Sequence, residues 1–491
     1  MLSSDVVVVG GGNAAMCAAL AAREAGADVL VLERAPVDLR GGNSAFTAGA
    51  MRVTYRDSDD LRAIVRDLSV EEIATTDFGS YTSEQFYDDM ARVTQYRADP
   101  DLVEVLVDGS FPTLVWMADQ GIRFVPAYGR QAFEINGRKR FWGGLTIEVV
   151  GGGPGLVEAE HDLAASAGVD IRYGAPARAL VADDDGVHGV RALIEGRTVD
   201  VEARAVVLAC GGFQANVEWR TRYLGPNWDL AKVRGTAFNT GDGHAMAFAA
   251  GAASAGHWSG CHAVAWDRNA PEFGDLAVGD GFQKHSYPFG IVVNAEGRRF
   301  VDEGEDFRNY TYAKYGRRIL EQPEQVAWQV FDQKVVGLLR DEYRIRQVTK
   351  VQADTLEELA ARMDGVDAGG FLAEVAEFNA AVQADVPFDP TVKDGRSTTG
   401  LRVPKSNWAN PLDTPPYLAF QVTCGITFTF GGLRITPGAQ VLSTEGAPIP
   451  GLYAAGEIVG GLFFHNYPGG TGLTAGSVFG RIAGLAAAAN G

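Results

Sequence analysis

The sequence predicts an α/β protein in which one discontinuous domain with a parallel sheet is interrupted by an inserted α+β domain. Three observations predict it. At the N-terminus a strand, a glycine turn, an apolar helix and a second strand ending in an acid follow one another between Asp5 and Glu33. After about residue 421 the same glycine-rich texture returns. Between about 255 and 415 aromatic and charged residues interleave instead, and prolines cluster at the end (Pro404, Pro411, Pro415, Pro416). The expected division is 1–254 and 421–491 for the two parts of the first domain, and 255–420 for the insertion.

Asp5-Val6-Val7-Val8-Val9 is an apolar run of strand length. Gly10 permits the tight turn that follows. Gly12 lets backbone come close to a pyrophosphate, and Ala15, small like the usual third glycine, lets the helix pack on the strand. The start of that helix, with Asn13 and Ala14 in its first turn, offers free N–H groups and a positive dipole end to phosphates. Val29–Leu32 is the second strand. Glu33, followed by Arg34, ends it where a carboxylate accepts hydrogen bonds from ribose hydroxyls. This order is that of a Rossmann-like dinucleotide-binding unit.

A glycine-rich loop follows, Gly41-Gly42-Asn43-Ser44-Ala45-Phe46-Thr47-Ala48-Gly49. Residues 57–120 carry apolar positions at helical spacing. Ile147–Val150, Gly151-Gly152-Gly153-Pro154-Gly155 and Leu156–Ala167 repeat the strand–turn–helix pattern and invite reading as a second nucleotide site. The next strand, Ile171-Arg172-Tyr173, lacks the terminal acid, so this helix is expected to return to the first domain, its glycines letting backbone lie close to a ligand. Short alternating strands then run from Ala179 to Ala203 around the turn Asp183-Asp184-Asp185-Gly186. They lead into a buried strand, Ala205–Cys210, and the turn Gly211-Gly212-Phe213.

The chain of 491 residues is 46% apolar and 21% charged, the balance of a globular protein. Its net charge of −19 argues against nucleic acid or an anionic membrane as partner, yet leaves room for a local arginine cluster facing a small anion. Cys17, Cys210, Cys261 and Cys424 have neither CxxC nor zinc-finger spacing, so no iron–sulfur cluster, c-type haem or zinc site is expected. The first strand leaves no room for a signal peptide, and no stretch of about 18 apolar residues is present. A cytoplasmic protein with no integral membrane segment is the expectation.

Several further blocks occur in a telling order: Thr240-Gly241-Asp242-Gly243, Arg299-Phe300-Val301-Asp302-Glu303, Gly451–Glu457 and Phe479-Gly480-Arg481-Ile482-Ala483-Gly484. With the N-terminal fingerprint, Gly41–Ser44, Ala48-Gly49 and Ala205–Phe213, they make the chain resemble the fumarate reductase/succinate dehydrogenase flavoprotein superfamily along nearly its whole length. The resemblance implies FAD as cofactor. It implies that Gly10, Gly12 and Ala15 hold the pyrophosphate, Glu33 the adenosine ribose and Ala177 the adenine, with Asn13, Ala14 and Arg34 also among the cofactor-binding residues. Asn43, Ser44, Ala48 and Gly49 would run beside the isoalloxazine, Glu457 would meet the ribityl chain, and Gly472 and Leu473 would offer N–H groups to the pyrimidine oxygen. Gly41, Gly42, Ala209, Gly211, Asp242 and Gly456 complete the implied set. Relatives with covalent FAD carry a His at the position of Asn43, so the FAD is expected to be non-covalent.

The departures carry information too. Where the family has a substrate-binding His the chain has Thr427-Phe428, and where it has an Arg the chain has Tyr467. The proton-delivering Arg that follows a Phe-Asp pair is missing from Phe331-Asp332-Gln333-Lys334-Val335-Val336. Succinate and fumarate are therefore not the expected substrates, and loss of the acid argues for oxidation over reduction. Asn466-Tyr467-Pro468-Gly469-Gly470 and Asp306–Tyr312 are similar to the tricarballylate dehydrogenase branch, and Tyr-Pro-Gly is also similar to 3-ketosteroid Δ1-dehydrogenases.

Removing hydrogens from adjacent carbons needs a base within about 3 Å of the α-proton and stabilisation of enolate charge. Tyr467 is the candidate for the second task; the bland alternative is a tyrosine packed in a glycine–proline turn. Tyr310, Tyr312 and His262 are the candidate bases, with His262 equally readable as a structural histidine. Arg308 reads either as a carboxylate clamp or as a surface ion-pair partner of Glu303 or Glu305. Tyr315, Arg317 and Arg318 read as a solvated helix face. The expected function is FAD-dependent CH–CH dehydrogenation of a small oxo acid, such as a cyclic keto acid of the 4-oxocyclohexanecarboxylate type. Tricarballylate oxidation, enoate reduction and a non-enzymatic flavin electron carrier are the alternatives. Oxygen, a quinone or a redox protein would accept the electrons.

Overall fold

A computed structural model describes residues 2–141 and 143–490. The strands Leu2–Val9 and Val29–Leu32 lie parallel and side by side, flanked by Asp170–Arg172 on one side and Arg197–Leu208 on the other. Val6–Val9 and Val29–Leu32 are buried, as expected for a parallel sheet covered on both faces. Ala177–Asp183, Gly186–Ile194 and Arg197–Leu208 form an antiparallel meander on the same sheet, and Pro448–Ala454 joins it parallel to the end of Arg197–Leu208. The stretches read as separate strands around Val199–Ala203 and Ala205–Cys210 are thus one strand. The C-terminal segment completes the sheet begun at the N-terminus.

Helix Asn13–Glu24 packs against the long helix Thr471–Ala488. A ladder of small residues sets the distance between them. A Cβ on Gly480 would lie 2.4 Å from the Ala14 carbonyl oxygen, and one on Gly484 would lie 2.1 Å from that of Ala18. Asn13 ties the helices together: its amide donates to the Leu473 carbonyl (2.9 Å) and its amide oxygen accepts from Ser477 (3.1 Å).

Helix Gly152–Ser166 follows the second glycine turn and returns to the first domain, packing beside Asn13–Glu24. Its glycines serve a protein contact rather than a ligand. A Cβ at Gly153 would lie 2.1 Å from the Ser44 carbonyl oxygen, so this helix start pins the 42–49 loop. Residues 57–120 are helical as expected, in four pieces whose starts are signalled by sequence. Asp57, Ser69, Thr82 and Asp99 each cap the helix that follows through a side-chain oxygen, Ser69–Glu72 and Thr82–Gln85 forming capping boxes.

A second sheet of six strands among the described residues is organised around Tyr417–Leu433. That 17-residue strand pairs with Ser254–Asp267, Ala327–Phe331, Lys350–Ala353 and Lys232–Val233. It runs unbroken across residue 420, where the inserted segment was expected to end. Helix Tyr312–Leu320 packs on this sheet. Tyr315 is buried here, its hydroxyl bonded to the Asp302 carbonyl, which corrects the solvated-face reading; Arg318 of the same helix is exposed. The large cavity lies between the two sheets. No helix among the described residues is long and apolar enough to cross a membrane.

Candidate active site

One end of the cavity is built by the N-terminal unit. Gly10, Gly12, Asn13 and Ala14 line it, and helix Asn13–Glu24 starts at Gly12 with no side-chain cap, so its first-turn N–H groups remain for a ligand. The exception is the Asn13 N–H, which donates to Ser44 Oγ at 3.1 Å. Glu33 is buried at the end of its strand, where it accepts from the Ala35 N–H (2.6 Å); burial pushes its pKa up. Arg34 reaches Asp242, so two residues singled out separately form an ion pair at the cavity wall. Ala177, Ala209 and Gly211 line the same end. Ala15 is fully buried against the strand, and Gly41 and Gly49 lie behind the lining, where Val157 and Gly152 approach them.

The middle is formed by the 42–48 loop, the Tyr417–Leu433 strand and Glu457. Gly42, Asn43, Ser44, Ala48, Gly456 and Glu457 all line it. Asn43 donates to the Thr427 carbonyl and accepts from the Thr236 N–H (3.0 Å), so its amide spans loop and strand. Glu457 accepts from the Thr429 N–H (2.9 Å), Gln214 Nε2 (3.2 Å) and Asn239 Nδ2 (3.2 Å). Burial outweighs these donors and raises its pKa to about 7. Helix Thr471–Ala488 begins at Gly470, again with no side-chain cap, and Gly472 and Leu473 line the cavity. Two uncapped helix starts, with the buried carboxylate of Glu33 and the half-buried one of Glu457 facing the same cavity, suit a ligand with a central pyrophosphate and hydroxyl groups on both sides of it.

The far end is a chamber of aromatic and basic side chains. The Tyr467 and Tyr312 hydroxyls bond to each other. His262 stands beside both, its ring centre 4.8 Å from that of Tyr467 and 4.9 Å from that of Tyr312, and Phe428 closes the cluster at 5.2 Å. His285 lies on the other side of Tyr312, at 4.8 Å. Burial, then Arg234 for His262 and Arg308 for His285, holds both imidazoles well below the usual histidine range, so both are neutral. Burial raises the pKa of both phenols; at Tyr312 the Tyr467 hydrogen bond and nearby arginines oppose the rise without cancelling it.

Arg308 lines this chamber instead of pairing at the surface. The expected partners are already taken: Glu303 is itself buried and pairs with buried Arg299, and Glu305 pairs with Lys314. Arg308 donates to the Arg130 carbonyl (3.2 Å), while its Nε has no acceptor among the described residues. Arg130 binds Asp280 through two nitrogens (3.1 and 3.2 Å), and Arg234 bonds Thr427 Oγ1 (3.3 Å).

Tyr310 does not face the chamber. Its hydroxyl lies 2.6 Å from Asp89 and 3.0 Å from the Gly143 carbonyl, in a buried network with Arg52 and Tyr81. Tyr310 ends the turn Arg308–Tyr310 and Tyr312 begins the next helix, Tyr312–Leu320, and of the two only Tyr312 lines the chamber. Arg52 Nε holds the Gly469 carbonyl (2.9 Å), which braces the turn that carries Tyr467. Arg130, Arg234, Asp280 and His285 escaped the sequence reading. They come from three segments, Asp280 and His285 sharing one, with no motif around them, and only the fold brings them together.

A dinucleotide cradle that opens onto a chamber of tyrosines, histidines and arginines defines a flavin-dependent oxidoreductase. A family described as FAD binding domain matches residues 5–473, and the chain belongs to it. The chain is 30% identical over 491 residues to a fumarate reductase (cytochrome) of Shewanella frigidimarina, covering 99% of this chain and 77% of the relative. It is 30% identical over 557 residues to the 4-oxocyclohexanecarboxylate 2-dehydrogenase of Sinomonas cyclohexanicum, covering 98% and 93%. Among solved structures, a 3-ketosteroid-Δ4-(5α)-dehydrogenase of Rhodococcus jostii RHA1 matches with a TM-score of 0.72 at 26% identity, over 99% of this chain and 97% of the other. The protein is an FAD-dependent oxidoreductase of the CH–CH class, and its cofactor is FAD.

Proposed function

We propose that the protein is a dehydrogenase that forms a C=C bond next to the carbonyl of a small oxo acid, such as a cyclic keto acid of the 4-oxocyclohexanecarboxylate type. The observation that carries this reading is the Tyr312–Tyr467 hydroxyl pair in a chamber that also holds Arg308. The first suits a ketone oxygen, the second a carboxylate. The 30% identical 4-oxocyclohexanecarboxylate 2-dehydrogenase supports it.

In this reading the uncapped start at Gly12 and the carboxylates Glu33 and Glu457 hold the FAD, with Gly472 and Leu473 at its other end. Bound FAD supplies the acceptor for a hydride from the β-carbon. Asn43, where a histidine would be needed for attachment, leaves the cofactor non-covalent, and protein denatured in acid should release all its yellow colour. Tyr467 donates to the ketone oxygen and stabilises the enolate. Tyr312 takes the α-proton. His262 is too weak a base for that step, because burial keeps its neutral form, and it orients the two phenols instead. Residues 255–420 serve as the cap that excludes water. Electrons leave to oxygen, a quinone or a redox protein.

A second reading, oxidation of a polycarboxylate, draws on Arg234 and Arg308, both with a nitrogen lacking an acceptor among the described residues. Anaerobic titration separates the two. Bleaching of the bound flavin by 4-oxocyclohexanecarboxylate and not by tricarballylate supports the oxo-acid reading. Bleaching by tricarballylate alone supports the second, and no bleaching by either overturns both.

A further inference from the structure

We propose that Arg340 and Arg308 together seat the carboxylate of the substrate, and that Arg340 is the residue that selects an anionic ketone over a neutral one. The proposal deepens the oxo-acid reading and rests on it for the identity of the substrate.

The geometry begins with a side cavity of about 20 Å³, adjoining the main chamber. Arg308 and His285 line both spaces, and Arg340 lines only the side one. The remaining walls are apolar, with Phe289, Pro288 and Trp408 among them. A space of that size takes one or two small polar atoms, such as a carboxylate oxygen, and not a ring. A ligand whose ring lies beside Tyr312 and Tyr467 can therefore extend only a small group past Arg308 towards Arg340.

The charges around this junction do not balance. Arg130 is matched by Asp280, which also lies 3.9 Å from Arg234. Among the described residues neither Arg308 nor Arg340 has a carboxylate within 4.0 Å. The Nε of Arg308 and the Nη1 of Arg340 are both buried and without an acceptor. Glu342 lies near enough to act on both electrostatically, yet its own Oε1 has no partner. Burial pushes the pKa of each guanidinium down, and at Arg340 the charge of Arg308 adds to the effect. Two half-buried like charges, each with a buried N–H that no acceptor meets and no carboxylate in contact, leave room for an anion between them. A carboxylate supplies acceptors for both and is matched by the planar donor fork of arginine.

Binding tests the seat without turnover. Oxidised holoenzyme is titrated with cyclohexanecarboxylate and, separately, with cyclohexanone, following the flavin absorbance, for the wild type, Arg340→Met and Arg340→Lys. FAD content and melting temperature show whether each variant is folded. The expected result is that Arg340→Met weakens cyclohexanecarboxylate by about 10- to 100-fold, the scale of a lost charge-assisted contact. Arg340→Lys should recover part of it, and cyclohexanone affinity should stay within about twofold. Equal weakening of both ligands, no weakening of either, or a wild type that does not bind the carboxylate overturns the proposal. A wild type that binds cyclohexanecarboxylate through Arg340 while its flavin stays unbleached by the keto acid keeps the seat and removes only the oxo-acid reading.

Discussion

Tyr312 and Tyr467 bond hydroxyl to hydroxyl although 155 residues separate them, one at the start of a helix on the six-stranded sheet and the other in the turn that leads into Thr471–Ala488. Each phenol supplies what the other lacks, since only one of the two oxygens donates to the other. Substitution of either should therefore be costly in a different way. Tyr467→Phe removes the proposed donor to the enolate oxygen and should slow anaerobic flavin reduction by the keto acid about 10²–10³-fold, measured by stopped flow.

Tyr312→Phe should instead change the pH profile. Burial keeps this phenol protonated above its ordinary pKa, so the phenolate that accepts a proton is scarce at neutral pH. The rate of flavin reduction should rise with pH across the alkaline range in the wild type, about tenfold per pH unit below the phenol's pKa. In the Phe variant the residual rate should lose this slope. A wild-type profile that is flat from pH 7 to 10 would remove Tyr312 from the role of base.

Glu33→Gln should weaken FAD binding at least about tenfold, because a neutral amide accepts ribose hydroxyls less strongly than a carboxylate. Quenching of FAD fluorescence on titration with apoprotein reads this directly. Unchanged affinity would mean that Glu33 serves only its own backbone bonds to neighbouring residues.

Glu457 links stability to pH. Its folded pKa of about 7 stands above the ordinary glutamate value of 4.5 that the unfolded chain takes, so the folded state holds a proton that the unfolded state releases in that window. The contribution to stability is fully present below about pH 4.5 and is lost as pH rises towards 7. Over 2.5 pH units this amounts to about 3 kcal/mol at most. Urea unfolding of the apoprotein should show a component that declines across this window, and Glu457→Gln should remove it.

Gly480→Ala sets propensity against space. Alanine gains about 1 kcal/mol in a helix over glycine, yet its Cβ would lie 2.4 Å from the Ala14 carbonyl oxygen. Backbone cannot step aside cheaply, so the clash should win by about 1–3 kcal/mol. A higher midpoint in urea than the wild type would show that the two helices separate without penalty.

Much of the cofactor end was legible because it is local. Strand, turn, helix and acid lie within 29 residues, from Asp5 to Glu33, and the spacing alone orders them. The chamber was less legible because it is assembled from distant pieces. Tyr467 and Arg308 were found through their similarity to family blocks. Tyr310 and Tyr312 could not be separated by sequence, since the choice depends on where a helical turn begins. Arg130, Arg234 and Arg340 carry no local signature at all; an arginine on a loop reads as solvated until the fold closes over it. The same held for Tyr315, whose charged neighbours Arg317 and Arg318 disguised a buried position.

The strand Tyr417–Leu433 offers its Thr427 carbonyl to Asn43 and, two residues on, its Thr429 N–H to Glu457. Between them Phe428 touches the chamber. Whatever presses on that ring therefore leans on the same piece of backbone that fixes Asn43 and Glu457, two side chains of the proposed FAD cradle. Occupants of the two compartments should reinforce each other by an equal factor in both directions. Adding a non-reducing carboxylate should slow the escape of FAD from diluted holoenzyme, and an escape rate indifferent to the ligand would mean the strand carries no such message.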